Sequence, residues 1–156
     1  MRIGQGFDVH AFSDDPTRPL LLCGVRIPEA PGLVGHSDAD VATHALLDAL
    51  LGGAALGDLG RHFDDTDPAH AGADSLEMLA EVLRRVADEG WAPTSADITI
   101  VAQVPRLAGF MAEMADTLSE AMGIIVSVKA TTTEQLGFLG RGEGIAAMAV
   151  ALLEAI

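Results

Sequence analysis

The sequence predicts an α/β or α+β fold, with helices packed on one face of a sheet, and three observations carry that prediction. Segments with strand alternation and segments with helical spacing are interspersed along the chain, with no linker, repeat or low-complexity stretch dividing them. The 156 residues suit one domain, residues 1–156, with one ordinary core. Residues of the AVILMFWYC set make up 49% of the chain and 17 glycines add to them, above the roughly 45–50% usual for such a count with glycine included. Alanine inflates that excess. The remainder implies more hidden surface than one small monomer hides, so an oligomer is expected, with a partner covering the second sheet face.

Residues 2–12 carry Ile3, Phe7 and Val9 in alternation and read as a strand. Residues 20–27, bounded by Pro19 and Pro28, read as a second strand or a hairpin arm. Residues 37–51 read as a helix, with Ser37 as N-cap, Asp40 three residues on, and Val41, Ala45 and Leu51 at helical spacing. Gly52-Gly53 ends it. Residues 74–89 form a second helix with an apolar stripe of Leu76, Leu79, Val82, Leu83 and Val86, stopped by Gly90. Residues 97–102 read as a strand. Residues 106–122 read as a helix following Pro105, and 125–131 as a strand. Residues 145–156 fit a helix by alanine content and a strand by alternation.

The formal charge is −14, from 23 acids against 9 bases, and Lys129 is the sole lysine. No basic stripe exists to displace counterions from nucleic acid, and anionic membranes are repelled. A phosphate ester would have to be held by a metal ion, backbone N–H groups or a few placed cations. The apolar stretches 45–56 and 145–153 are too short or too broken to span a bilayer. Cys23, the single cysteine, lies in an apolar run and reads as a small buried hydrophobe. With an N-terminus lacking an apolar signal region, it points to a cytoplasmic protein.

Asp8 and His10 lie two apart on a strand and share a face, which makes them a two-ligand platform for Zn²⁺. Taken alone, such a pair is more commonly a solvated edge. His44 in the first helix has Asp40 and Asp48 one turn away, and either carboxylate can take its second N–H. Together the three supply N and O ligands with one position open, the catalytic zinc arrangement. His36 and Ser37 stand at the helix N-terminus, where a phosphate is favoured. Thr131-Thr132-Thr133-Glu134 offers hydroxyl donors and a hard oxygen ligand for Mg²⁺, or a plain capped turn. The acidic loop 58–68 offers acceptors for substrate hydroxyls, or solvated turns. His62 and His70 read as surface histidines.

These strings occur together, in order, along the whole chain: Arg2-Ile3-Gly4-Gln5-Gly6-Phe7-Asp8-Val9-His10, Gly35-His36-Ser37-Asp38-Ala39-Asp40-Val41, Gly57-Asp58-Leu59-Gly60, Asp65-Thr66-Asp67-Pro68, Lys129-Ala130-Thr131-Thr132-Thr133-Glu134 and Gly137-Phe138-Leu139-Gly140-Arg141-Gly142-Glu143-Gly144. The set resembles the 2-C-methyl-D-erythritol 2,4-cyclodiphosphate synthase family of the non-mevalonate isoprenoid pathway. The resemblance implies an α+β (α/β sandwich) domain with a mostly four-stranded mixed sheet and helices on one face. It makes 145–156 a strand, and turns the sheets inward around a central cavity in a homotrimer with intersubunit active sites. It implies a lyase that cyclises a cytidylyl diphosphate ester and releases CMP.

Zn²⁺ would sit on Asp8, His10 and His44, and Mg²⁺ or Mn²⁺ on Glu134. His36 and Thr132 match transition-state stabilisers, and Asp8-Val9-His10 and His36-Ser37 match substrate-binding positions. Asp58-Leu59-Gly60 and Phe63-Asp64-Asp65-Thr66-Asp67 match the methylerythritol pocket. The cytidine pocket is matched by Ala102-Gln103-Val104-Pro105-Arg106-Leu107-Ala108 with Thr131 and Thr133, and Phe138 and Arg141 match further ligand positions. An isoprenoid diphosphate in the central cavity is a further implied partner. No cytidylyltransferase domain is expected. The chain departs from the family pattern at Gln5, His62 and Arg106. Two competing readings of the same residues are a metal-dependent phosphohydrolase with water as nucleophile and a trimeric isoprenoid-phosphate binding protein.

Overall fold

Residues 1–64 and 72–156 are described by the computed structural model. Strand β1 (Arg2–Ala11) is followed by a hairpin of β2 (Leu20–Leu22) and β3 (Val25–Ile27). Helix α1 (Val41–Gly53), the short α2 (Leu59–His62) and α3 (Ser75–Asp88) come next, then β4 (Trp91–Val101), α4 (Met111–Met122), β5 (Val126–Thr131), the short α5 (Gly137–Gly140) and β6 (Gly144–Ala155). The main sheet runs β1-β6-β4-β5. The β1–β6 and β6–β4 pairs are antiparallel and β4–β5 is parallel. This is the four-stranded mixed sheet of an α+β protein.

Alternation sorts the two faces. On β6, Ile145, Ala147, Ala149, Ala151 and Leu153 are buried toward the helices. The segment is a strand despite its alanines because β1 and β4 pair with it on both sides. Those small side chains let α1 lie close. On β1, Gly4 and Gly6 do the same. A Cβ on Gly6 would stand 1.9 Å from the Ala45 carbonyl oxygen, and one on Gly4 1.8 Å from that of Ala49. The opposite face leaves Ile3, Phe7, Val9, Met148 and Val150 exposed. Among the described residues, no helix is long and apolar enough to cross a membrane.

The observed elements correct several sequence expectations. Helix α1 begins at Val41, not Ser37, and its N-cap is Asp40. That carboxylate is fully buried. Oδ1 accepts from the Thr43 and Cys23 amides (3.0 and 2.9 Å), and Oδ2 from the Gly24 amide and the Thr43 hydroxyl (2.7 and 2.8 Å). A buried ion is tolerated because four donors replace its water. Cys23 therefore sits in the turn of a complete hairpin, with φ 54°, and is not within a strand. Burial raises its thiol pKa well above the usual value. Strand β4 starts six residues before the expected 97, accommodating Pro93 through a register shift between Pro93 and Ser95. The helix expected over 106–122 starts at Met111, after a 3-10 turn at Ala108–Phe110.

Asp40→Ala removes an N-cap and strands two buried amides, Cys23 and Gly24. It should lower stability by about 3 kcal/mol, read as a fall of roughly 10 °C in the melting midpoint. Asp40→Asn should lose less, because it keeps one acceptor oxygen.

Candidate active site

The two glycines place α1 directly on β1. Along the same strand face, in register with Gly4 and Gly6, come Asp8 and His10, and the helix brings His44 over them. Asp8 Oδ2 lies 2.8 Å from His10 Nε2 and 3.1 Å from His44 Nδ1. One ligand atom from each of the three residues falls within 4.8 Å of the others. The imidazoles meet edge to face, with centroids 5.5 Å apart.

The hydrogen bonds behind this cluster assign the imidazole protons. His10 Nδ1 lies 2.5 Å from the Val34 carbonyl oxygen, which can only accept, so Nδ1 donates. The Ser75 hydroxyl donates to Asp38 Oδ1 (2.5 Å), so its oxygen is left to accept from His44 Nε2, 3.0 Å away. The Ser37 hydroxyl stands 3.2 Å from the same nitrogen. His10 Nε2 and His44 Nδ1 thus both turn lone pairs toward the Asp8 carboxylate. Three acceptors facing one another need a proton or a cation between them. Two imidazoles and one carboxylate with open positions suit a divalent metal such as zinc, and the donor set fits one.

Without a metal, a proton takes that place. Burial alone would raise the Asp8 carboxyl, but hydrogen bonds and charge from His10 and His44 together outweigh it and hold it well below the usual carboxylate range. Burial also opposes the charged form of His10, but Asp8, aided by the Val34 carbonyl, raises its pKa on balance.

The carboxylate behind His44 is not one of the two expected from the helix. Asp40 is consumed by the cap, and Asp48 Oδ1 accepts from the Leu59 amide (2.7 Å). Burial, with the charges of Asp8 and Asp58 adding, raises the Asp48 carboxyl. Asp38 takes the role through Ser75, residues that sequence reasoning missed. Ser75 opens α3, 31 positions from His44, and no local spacing announces it. Arg18 was missed too. Its Nη2 donates to the Gly35 and Ser37 carbonyls (2.9 and 2.6 Å) and fixes the loop that carries His36.

A cavity of about 230 Å³ opens on the three ligands. His36, Ser37, Asp48, Leu59, Gly60 and Phe63 also line it, so the first-helix and α2 candidates converge. The Val9 side chain points to the other sheet face and leaves only its backbone near the site. Asp58 caps α2, accepting from the Arg61 amide (3.0 Å), and Asp64 lies just beyond that helix. Asp65, Thr66, Asp67 and His70 lie outside the described residues.

The remaining candidates gather elsewhere in the chain. A second cavity, about 420 Å³, is lined by Ala102, Gln103, Pro105, Arg106, Leu107, Ala108, Thr131 and Thr132. It shares no lining residue with the first. Val104 is exposed beside it. Glu134 sits in the left-handed region (φ 52°). Its Oε1 accepts from the Thr132 hydroxyl (3.2 Å), and it is not among the three residues whose ligand atoms converge at Asp8. Thr133 donates to the Leu136 carbonyl (2.6 Å). Phe138 is exposed on α5, and Arg141, just after it, pairs with Glu143 (2.6 Å).

Fold and site together define an α+β protein with a three-ligand, partly open metal platform and a separate cavity at a strand end. The chain belongs to the YgbB family, matched over residues 1–154. It is similar to the 2-C-methyl-D-erythritol 2,4-cyclodiphosphate synthase of Erwinia tasmaniensis, 57% identical over 156 residues and 98% of each chain. The bifunctional IspDF from Campylobacter jejuni superposes with a TM-score of 0.94 at 42% identity, covering 99% of this chain and 42% of that one. A solved 2C-methyl-D-erythritol-2,4-cyclodiphosphate synthase in its CDP-bound form superposes at 0.88 and 37% identity, over 98% of this chain and all of the other.

Ser75→Ala removes the nearer of the two hydroxyl oxygens facing His44 Nε2–H and its link to Asp38, and should weaken zinc binding by about 10-fold in a chelator-competition titration. Because His10 keeps its proton to higher pH than a free histidine, zinc affinity should fall as pH drops through that raised value. The metal-free fold should show the opposite trend: stability from the charged His10–Asp8 pair is full below the unfolded histidine pKa and lost as pH rises through the folded one. Melting curves from about pH 5.5 to 8.5 with and without zinc read both slopes.

Proposed function

We infer that this chain is a metal-dependent phosphorus–oxygen lyase, a 2-C-methyl-D-erythritol 2,4-cyclodiphosphate synthase. It converts 4-diphosphocytidyl-2-C-methyl-D-erythritol 2-phosphate to the 2,4-cyclodiphosphate and CMP. The observation that carries the reading is the convergence of the Asp8, His10 and His44 acceptors at one open point, in a chain that matches named synthases over nearly its full length.

In the reaction, an oxygen of the 2-phosphate attacks the β-phosphorus. The bond from that phosphorus to the bridging oxygen breaks, and CMP leaves with the electron pair. No general base is needed, because the nucleophile is already ionised near neutrality. Positioning and charge compensation are what the protein must supply. On this reading Asp8, His10 and His44 hold Zn²⁺, and Glu134 holds Mg²⁺ or Mn²⁺ with the substrate. Bound cations would supply Lewis-acid polarisation and offset the crowded phosphoryl charge.

The chain's own residues do the rest. His36 and Ser37 offer donors to phosphoryl oxygens beside the metal platform, and Thr132 offers another from the β5 turn. Leu59, Gly60 and Phe63 wall the methylerythritol end, with Asp58 and Asp64 accepting from its hydroxyls; Asp65, Thr66 and Asp67 are assigned to it by the resemblance alone. The second cavity takes the cytidine, with Arg106 in its lining, and Phe138 and Arg141 are further ligand positions by the resemblance.

We also propose a homotrimer whose sites form between subunits. Two observations support it. The exposed apolar face of Ile3, Phe7, Val9, Met148 and Val150 asks for a cover. The two cavities share no residue in one chain, and a neighbour's 131–134 turn beside the metal platform would unite them. The inward apolar face leaves room for an isoprenoid diphosphate on the trimer axis. Residues 1–156 act as one catalytic unit, and the buried free thiol suits the cytoplasm.

Metal-stripped protein and His44→Ala should each lose at least about a thousandfold in CMP release, as expected when the main electrostatic stabiliser is removed, while a sedimentation profile still shows the trimer. Phosphorus NMR should identify a cyclic diphosphate as the product. A linear product with free phosphate would replace this reading with a phosphohydrolase. Undiminished turnover without metal would defeat it.

A further inference from the structure

None of the four residues of α2 is fully buried; Leu59 packs partly against the core, and the rest of the α2 wall of the metal cavity depends on polar bonds. Polar bonds anchor it at both ends. At the start, the Leu59 amide donates to Asp48 (2.7 Å). At the end, His62 Nε2 lies 2.9 Å from the Leu56 carbonyl oxygen, so that nitrogen carries the proton and donates. Nδ1 is left as an acceptor, and Arg85 Nη1 on α3 donates to it at 2.5 Å. Arg85 Nε donates to Glu81 Oε1 (2.7 Å), one turn back on the same helix. The Arg85 guanidinium carbon also lies 5.5 Å from the centre of the Phe63 ring. One guanidinium therefore grips the last residue of α2 and the aromatic ring that follows it, and that ring lines the cavity with Asp8, His10 and His44.

We propose that Arg85 and His62 are positioning residues: a strap from α3 that fixes Phe63 as a wall of the metal cavity and so sets how tightly the cavity holds the organic part of a phosphoester. In its kinetic consequence the proposal rests on the function inferred above. In its structural consequence it does not. His62, read from sequence as a surface histidine, makes two hydrogen bonds that tie α2 to its surroundings. A guanidinium suits this role because its planar fork can bond in two directions while its face lies near a ring. A wall that touches the organic part of the substrate and not its phosphates contributes alike to ground and transition states, so its loss raises KM and spares kcat.

The test uses three full-length variants. His62→Asn keeps an acceptor oxygen where Nδ1 stands. His62→Gln keeps a donor near the Nε2 position and removes that acceptor. Arg85→Met keeps the apolar stem and removes the donors. Hydrogen exchange of the Phe63 amide, which bonds the Leu59 carbonyl (2.9 Å), is followed in the zinc-loaded protein. It should quicken about tenfold in His62→Gln and Arg85→Met, the loss set by one hydrogen bond to a charged group, and stay near wild type in His62→Asn. KM for the cytidylyl substrate should rise by a similar factor in the first two, with kcat within about twofold. Should Arg85→Met fail to fold, the two His62 variants decide alone. Exchange and KM at wild-type levels in His62→Gln, or His62→Asn as impaired as His62→Gln, would overturn the strap. Absence of turnover in wild type would instead overturn the inferred function and leave the exchange experiment to judge the strap.

Discussion

Helix α1 can lie against β1 only because Gly4 and Gly6 carry no side chain. The Ala45 and Ala49 carbonyls occupy the space where two Cβ atoms would be. The same approach carries His44 to within 3.1 Å of Asp8. Packing and chemistry are thus one constraint here: a helix seated an ångström or two further out would still cover a core but would bring no third ligand to the strand. The alanines of β6, buried on the same face, extend that close contact across the neighbouring strand.

Electrostatics then decides what the platform can hold. A chain of charge −14 places another carboxylate, Asp48, in the wall of the cavity that opens on Asp8, His10 and His44. Long-range attraction cannot recruit a phosphate there. On the proposed function, short-range devices do so instead. Lone pairs aim at one cation position, a serine and a histidine stand on a fixed loop, and Arg18 ties down the backbone carbonyls of that loop. Each imidazole is held from behind by a bond that fixes its proton, through Val34 for His10 and through Ser75 and Asp38 for His44.

Much of this was legible from local pattern. Period-two alternation located β1 and β5, and the apolar stripe with its Gly90 stop located α3 almost to the residue. Asp8 and His10 declared a shared face by their spacing. Legibility failed where a competing interaction won. Ser37 offered a reasonable cap, but Asp40 serves because the hairpin turn presents two further amides to it. Residues 91–96 lie outside the expected strand, yet β4 starts at Trp91 because a register shift absorbs Pro93. The α2 turn is four residues long and too short for any periodic signal.

The sequence by itself determined most element types, the strand-borne pair of ligands and, through its ordered motifs, the family to which the chain belongs. These follow from neighbours along the chain, where spacing and side-chain chemistry act directly. Only the tertiary structure decided which carboxylate stands behind His44, which arginine grips α2, and that the metal and strand-end cavities of one chain lie apart. The bonds that make those pairings, Ser75 to His44 and to Asp38 and Arg85 to His62, join residues 31, 37 and 23 positions apart, and nothing in local spacing encodes where the fold will bring two distant side chains face to face.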